Sequence, residues 1–155
     1  MSALRRWTVA GMAATTAMIV AQAPSFRPKP AGNLKQVMRS IPYPNSEIVY
    51  AVQTKAPASA DEWKTVENAS IAIAETANLI TMPGRLREDG KPVPIENADW
   101  NKYAAGLAAA GQACYRAAAA KDREAVNKCT DGLAEACSNC HDVYRDAPAK
   151  QEKGK

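Results

Sequence analysis

The sequence holds one phenylalanine and one histidine, and aromatic residues make up only 6% of it. With alanine abundant in the second half as well, helices fit this chain better than a β-rich sandwich or barrel, so the expected fold class is all-α. A long membrane span is also missing. The longest apolar run, Thr8 to Ala21, is about 14 residues against the ~20 that a spanning helix needs. The chain has no strong charge excess, with a formal net charge of +4. That excludes the basic stripe of a nucleic-acid footprint, and no nucleic-acid partner is expected. At 155 residues there is room for one ordinary domain, and no internal repeat is present.

What is present begins with a leader. Basic Arg5 and Arg6 precede the apolar run, and small Ala21 and Ala23 offer cleavage points, with Pro24 favouring the cut after Ala21. The domain reading is a signal peptide over 1–23, a helical domain over 24–146 and a flexible tail over 147–155. An uncleaved anchor is the alternative. Arg5-Arg6-Trp7 invites a twin-arginine reading, but two arginines are common in any such leader, and the general secretory route is preferred. Loss of the leader leaves 18 basic against 16 acidic residues. The expected location is the periplasm, with no stable membrane span in the mature chain.

Hydrophobic spacing lays out four helices. Asn33 is an N-cap for a first helix with Leu34, Val37, Met38 and Ile41 on one face. Pro42 and Pro44 break it, and Asn45-Ser46 can cap a new start carrying Ile48, Val49 and Val52. Ser59 or Asp61 opens a second helix with Trp63, Val66, Ser70, Ile73, Ala77 and Ile80 inward, closed by Pro83-Gly84. A crossover loop follows from Arg85 to Asn97. Asn97 or Asp99 starts a third helix with Trp100, Tyr103, Leu107, Ala110, Cys114 and Ala118 on its stripe. After a turn at Lys121-Asp122, a fourth helix runs to about Arg145 with Val126, Cys129, Leu133, Cys137, Cys140 and Tyr144 inward. The expected architecture is an antiparallel four-helix bundle.

The chemistry sits late in the chain. Cys137-Ser138-Asn139-Cys140-His141 is a C-x-x-C-H sequence, the attachment signature of a c-type haem. On a helix, positions i and i+3 share a face, so both thiols reach one porphyrin edge as thioethers. His141, four residues after Cys137, approaches the iron from the same side as the proximal ligand. The only histidine follows the only C-x-x-C, which chance explains poorly. A thioredoxin-like dithiol would need a helix N-terminus to lower its thiol pKa, and these cysteines sit late in a helix. A zinc site would need four tetrahedral ligands, which Cys129, Cys137, Cys140 and His141 on one helix do not supply. The expected cofactor is one covalent haem c.

Cys114 and Cys129 lie equally far on either side of the Lys121-Asp122 turn, so antiparallel packing sets them opposite one another. A disulfide between them fits that geometry and an oxidising compartment. Two free core thiols are the alternative.

These residues resemble the class II c-type cytochromes, the cytochrome c′ family, whose haem motif likewise lies near the C-terminus of a four-helix bundle. The matching stretch is Cys137 to Arg145, Cys-Ser-Asn-Cys-His-Asp-Val-Tyr-Arg, and the helical layout from Asn33 to Arg145 agrees with it. The late position of the motif and the trailing Tyr144-Arg145 carry the resemblance, since C-x-x-C-H is common to all c-type cytochromes. The resemblance implies that Arg145 sits beside the haem edge or a propionate; its plain alternative is a solvated cation favoured by the helix dipole. It also implies a distal residue from the first helix. Met38 is the candidate sixth ligand, since Met82 abuts Pro83-Gly84 at a helix end.

The expected function is single-electron transfer between redox partner proteins by a haem held by His141 and Met38, a pairing that changes redox state with little rearrangement. No acid–base or nucleophile–base constellation appears, and an enzyme is not expected. The alternative is a five-coordinate haem that binds nitric oxide or carbon monoxide, its open side lined by Leu34, Val37 and Ile41. A third reading is the cytochrome subunit of a larger dehydrogenase. A homodimer through exposed Trp or Tyr of the first two helices is left open.

Overall fold

The computed structural model describes residues 26–145; the leader over 1–23 and the tail over 147–155 lie outside the described residues. Of the described residues 71% are helical and none are in strands, so the fold class is all-α. The helices are α1 (Leu34–Ser40), α2 (Pro42–Thr54), α3 (Ala60–Ile80), α4 (Ala98–Ala119) and α5 (Arg123–Tyr144). Only Ile41 separates α1 from α2, which makes them one broken helix and the whole a four-part helical layout compatible with a bundle. Among the described residues no helix is long and apolar enough to cross a membrane.

Local chemistry explains most boundaries. The Asn33 side chain accepts from the Gln36 backbone N–H while the Gln36 side chain accepts from that of Asn33, a reciprocal capping box. Ser59 accepts from the Glu62 N–H and Asp122 from that of Ala125, each satisfying an amide that the first helical turn leaves unpaired. The start of α2 differs from expectation. The helix begins at Pro42 itself, a position where the missing N–H costs nothing. Asn45 and Ser46 therefore lie inside it, and their side chains donate back to the carbonyls of Ile41 and Tyr43 rather than capping a later start.

The core is built from Val49, Val52, Val66, Ile73, Ile80, Trp100, Leu107, Val126 and Leu133, all buried, with Met38, Tyr50, Cys137 and Tyr144 half-buried against it. α3 packs most extensively on α4, α4 on α5, and α2 on both α3 and α5. The buried hydroxyls of Ser70 and Thr76 donate to carbonyls four residues back, which removes their desolvation cost.

The crossover loop is more ordered than its composition suggests. Leu86 and Pro92 form an antiparallel bridge, and Val93 is buried. Arg85 is buried too, its guanidinium donating to the Leu79 and Gly32 carbonyls, each at 2.6 Å. Together with Leu34 N–H to Leu86 O at 2.8 Å and the Lys35–Glu88 ion pair, it clips the start of α1 to the end of α3.

Candidate functional site

The site is built on the last two turns of α5. Cys137 and Cys140 are half-buried free thiols, and His141 follows at the solvent-facing end of the same helix. They are brought onto one face because residues three and four apart in an α-helix stack above one another. The remaining two cysteines are joined: Cys114 of α4 and Cys129 of α5 form a disulfide, with Cα atoms 5.3 Å apart. The four cysteines thus divide into a disulfide between two helices and two free thiols on one helix.

Electrostatics separate the free pair from a redox dithiol. Burial pushes the Cys137 thiol up, and burial followed by the nearby Cys137 does the same for Cys140. Both stay protonated at neutral pH, the reverse of the depressed pKa that makes a thiol an attacking nucleophile. His141 moves the other way. Partial burial and then the Arg145 guanidinium lower its pKa, against a smaller opposing pull from Asp142. Both lowering effects favour the neutral ring, the form with a lone pair to give to a metal.

Around the motif, α4 supplies one wall and α2 another. Tyr144, three residues after His141, meets Trp100 edge to face at 5.0 Å between ring centroids and Tyr103 at 6.1 Å. The Trp100 indole donates to the Ile80 carbonyl at 3.3 Å, so this cluster also ties α4 to the end of α3. A recess of about 320 Å³ lined by Lys102, Tyr103, Gly106, Ala136 and Asn139 lies on the α4 side of the motif. The larger recess, about 530 Å³, lies past the disulfide and holds none of the motif residues.

On the α2 side, Gln53 donates to the Thr130 hydroxyl at 2.5 Å, and Arg123 donates to the Val52 and Gln53 carbonyls at 3.2 and 2.9 Å. These bonds cap the end of α2 with a cation and fix its register on α5.

Of the other expected site residues, Arg145 is the C-cap of α5, its N–H on the His141 carbonyl at 3.1 Å and its charge near enough to bear on the imidazole. Met38 is half-buried against the core on α1, which packs on α2 and α3. Tyr50 of α2 did not stand out in the sequence; only the pairing of α2 with α5, about seventy residues apart in the chain, brings it to the motif.

Among the described residues no three His, Cys, Asp or Glu side chains gather to hold a bare metal ion. Iron in a porphyrin has a different requirement, because the ring supplies four ligands and asks the protein only for axial ones. His141 is the motif's one candidate for an axial place, and the two unpaired thiols on the same helical face suit thioether links to the ring edge. No family model, curated protein or solved structure matches the chain.

Proposed function

We propose that this protein is a periplasmic c-type cytochrome of the cytochrome c′ kind, carrying single electrons between redox partners on one covalent haem c. The observation that carries the reading is the sorting of the cysteines. Cys114 and Cys129 are consumed by a disulfide, while Cys137 and Cys140 remain as thiols directly ahead of the only histidine. In this reading α1 with α2, α3, α4 and α5 make the four members of an antiparallel bundle.

The chain's part is to anchor, orient and bury. Cys137 and Cys140 would hold the porphyrin edge as thioethers, and His141 would be the proximal ligand. Met38 is the proposed distal ligand from the first helix, and Arg145 the cation beside a propionate. When bound, the haem would supply the one-electron Fe(III)/Fe(II) couple, and a methionine ligand from Met38 would raise its potential. No acid–base work is asked of the protein.

The position of α1 favours a second reading. It packs on α2 and α3, and in this alternative Met38 stays within the core and leaves a five-coordinate iron that binds nitric oxide or carbon monoxide. Spectra of oxidised and reduced protein, with a pyridine haemochrome and an intact mass, test both. A low-spin ferric spectrum with slow or absent carbon monoxide binding supports the carrier. A high-spin spectrum with rapid binding supports the gas-binding form, and colourless protein without the added porphyrin mass overturns both.

A further inference from the structure

We infer that Tyr50 of α2 is a haem-contact residue, its phenol lying against the porphyrin edge held at Cys137 and donating a hydrogen bond there. The inference rests on the haem reading above and extends it to a helix that the motif does not reach.

Five observations place Tyr50. α2 packs directly on α5. The Gln53–Thr130 hydrogen bond and the two carbonyl bonds from Arg123 fix the register of that packing. Tyr50 is one turn from Gln53 on α2, and Cys137 is two turns from Thr130 on α5, so both continue the same seam away from the bonded end. Tyr50 and Cys137 are each half-buried against the same core. Cys137 is also close enough to bear on the phenol: burial first, then Cys137, then Glu47 hold the Tyr50 pKa above its ordinary value. A phenol that keeps its proton is a donor and not an anionic iron ligand.

A donor aimed at the Cys137 sulfur or the ring edge draws electron density from the macrocycle and favours the electron-richer ferrous state. Hydrogen bonds around a haem are among the protein's means of setting its potential. Tyr50 is thus a tuning residue for electron transfer, and it would act whether or not a methionine fills the distal position.

The test uses the haem-loaded protein and its Tyr50→Phe, Tyr50→Ala and Tyr43→Phe variants. Tyr43, on the same helix but 65% exposed, serves as the control. The full worth of one net hydrogen bond is about five-fold in an equilibrium, and only its difference between the two redox states moves the potential. Tyr50→Phe is therefore expected to keep haem content and helicity while shifting the reduction equilibrium toward the oxidised form by up to about five-fold. Tyr50→Ala shifts the Soret dichroism as well, and Tyr43→Phe changes neither. Unchanged potential and Soret dichroism in the Tyr50 variants of a coloured protein overturn this inference alone. A colourless wild type removes the haem reading and this inference with it. If Tyr50→Ala fails to fold, Tyr50→Phe decides.

Discussion

Gly111 on α4 lies so close to α3 that a Cβ at that position would meet the Ala74 backbone nitrogen at 2.6 Å and the Ala74 Cβ at 2.9 Å. Among the described residues these two helices share the most extensive helix–helix packing, and the missing side chain lets their backbones approach. Replacing glycine by alanine inside a helix ordinarily stabilises by about 1 kcal/mol. Here the added methyl meets the Ala74 backbone and its Cβ, neither of which can swing aside. Gly111→Ala is expected to destabilise the fold by about 1–3 kcal/mol, whereas Gly106→Ala and Gly132→Ala, which meet nothing within 4 Å, should stabilise it by up to about 1 kcal/mol. Urea unfolding of the three variants checks the contrast, and equal effects would remove the close-crossing account.

The Cys114–Cys129 disulfide closes a loop of 15 residues, a length associated with about 3 kcal/mol of stabilisation through the unfolded state. A Cys114→Ser/Cys129→Ser double variant should lose about that amount in a urea titration. In haem-loaded protein, unreduced denatured material should take up no alkylating agent. Reduction should expose two thiols, Cys114 and Cys129, because thioether links resist thiol reductants. Four alkylated sites after reduction would show that Cys137 and Cys140 carry no haem.

If Met38 supplies the distal sulfur, Met38→Ala should turn a low-spin ferric spectrum high-spin and speed carbon monoxide binding to reduced protein by tenfold or more, on the order of the 1.4 kcal/mol that one decade represents. Met82→Ala, at the far end of α3, should leave both unchanged. A wild type that is already high-spin would place Met38 among the core residues only.

In haem-free protein the His141 imidazole should titrate below its ordinary midpoint by proton NMR, since burial and then Arg145 oppose its charge. Arg145→Gln should raise that midpoint, and Asp142→Asn should lower it further. A cation disfavoured by folding makes the folded state lose stability as the pH falls. The His141 contribution is therefore full above the unfolded pKa, about 6.5, and disappears as acid carries the pH down through the lower folded value. A midpoint at or above the ordinary value would contradict the packing described around the helix end.

The helices were legible in the sequence because alanine-rich stripes at three-to-four spacing have few other readings. The cap at Asn33, and Ser59 as one of two candidates with Asp61, followed from side chains that accept from amides within one turn, whereas Asp122 reads in the sequence only as part of a turn and proves to be a cap as well. The candidate site was legible for the same local reason, since Cys137, Cys140 and His141 need only one helix to come together. Pro42 was read as a break, and it is also the first residue of α2, because a proline ring both ends one helix and suits the opening turn of the next. Burial of Arg85 could not be read locally; an arginine among prolines and glycines looks solvated until the carbonyls of Leu79 and Gly32 are seen to converge on it. Tyr50 escaped for the same reason, since its neighbours on α5 lie far along the chain.

That distance bears on when the molecule can close. Arg123 grips the carbonyls of Val52 and Gln53 across a separation of about seventy residues, so the segments that emerge first during synthesis lack one flank until the final helix arrives. Long-range closure of this kind is slow relative to forming individual helices. Until α5 docks, the half-buried Cys137 and Cys140 lack the α2 flank, and on the haem proposal that interval would be when the ring is brought to the sulfurs.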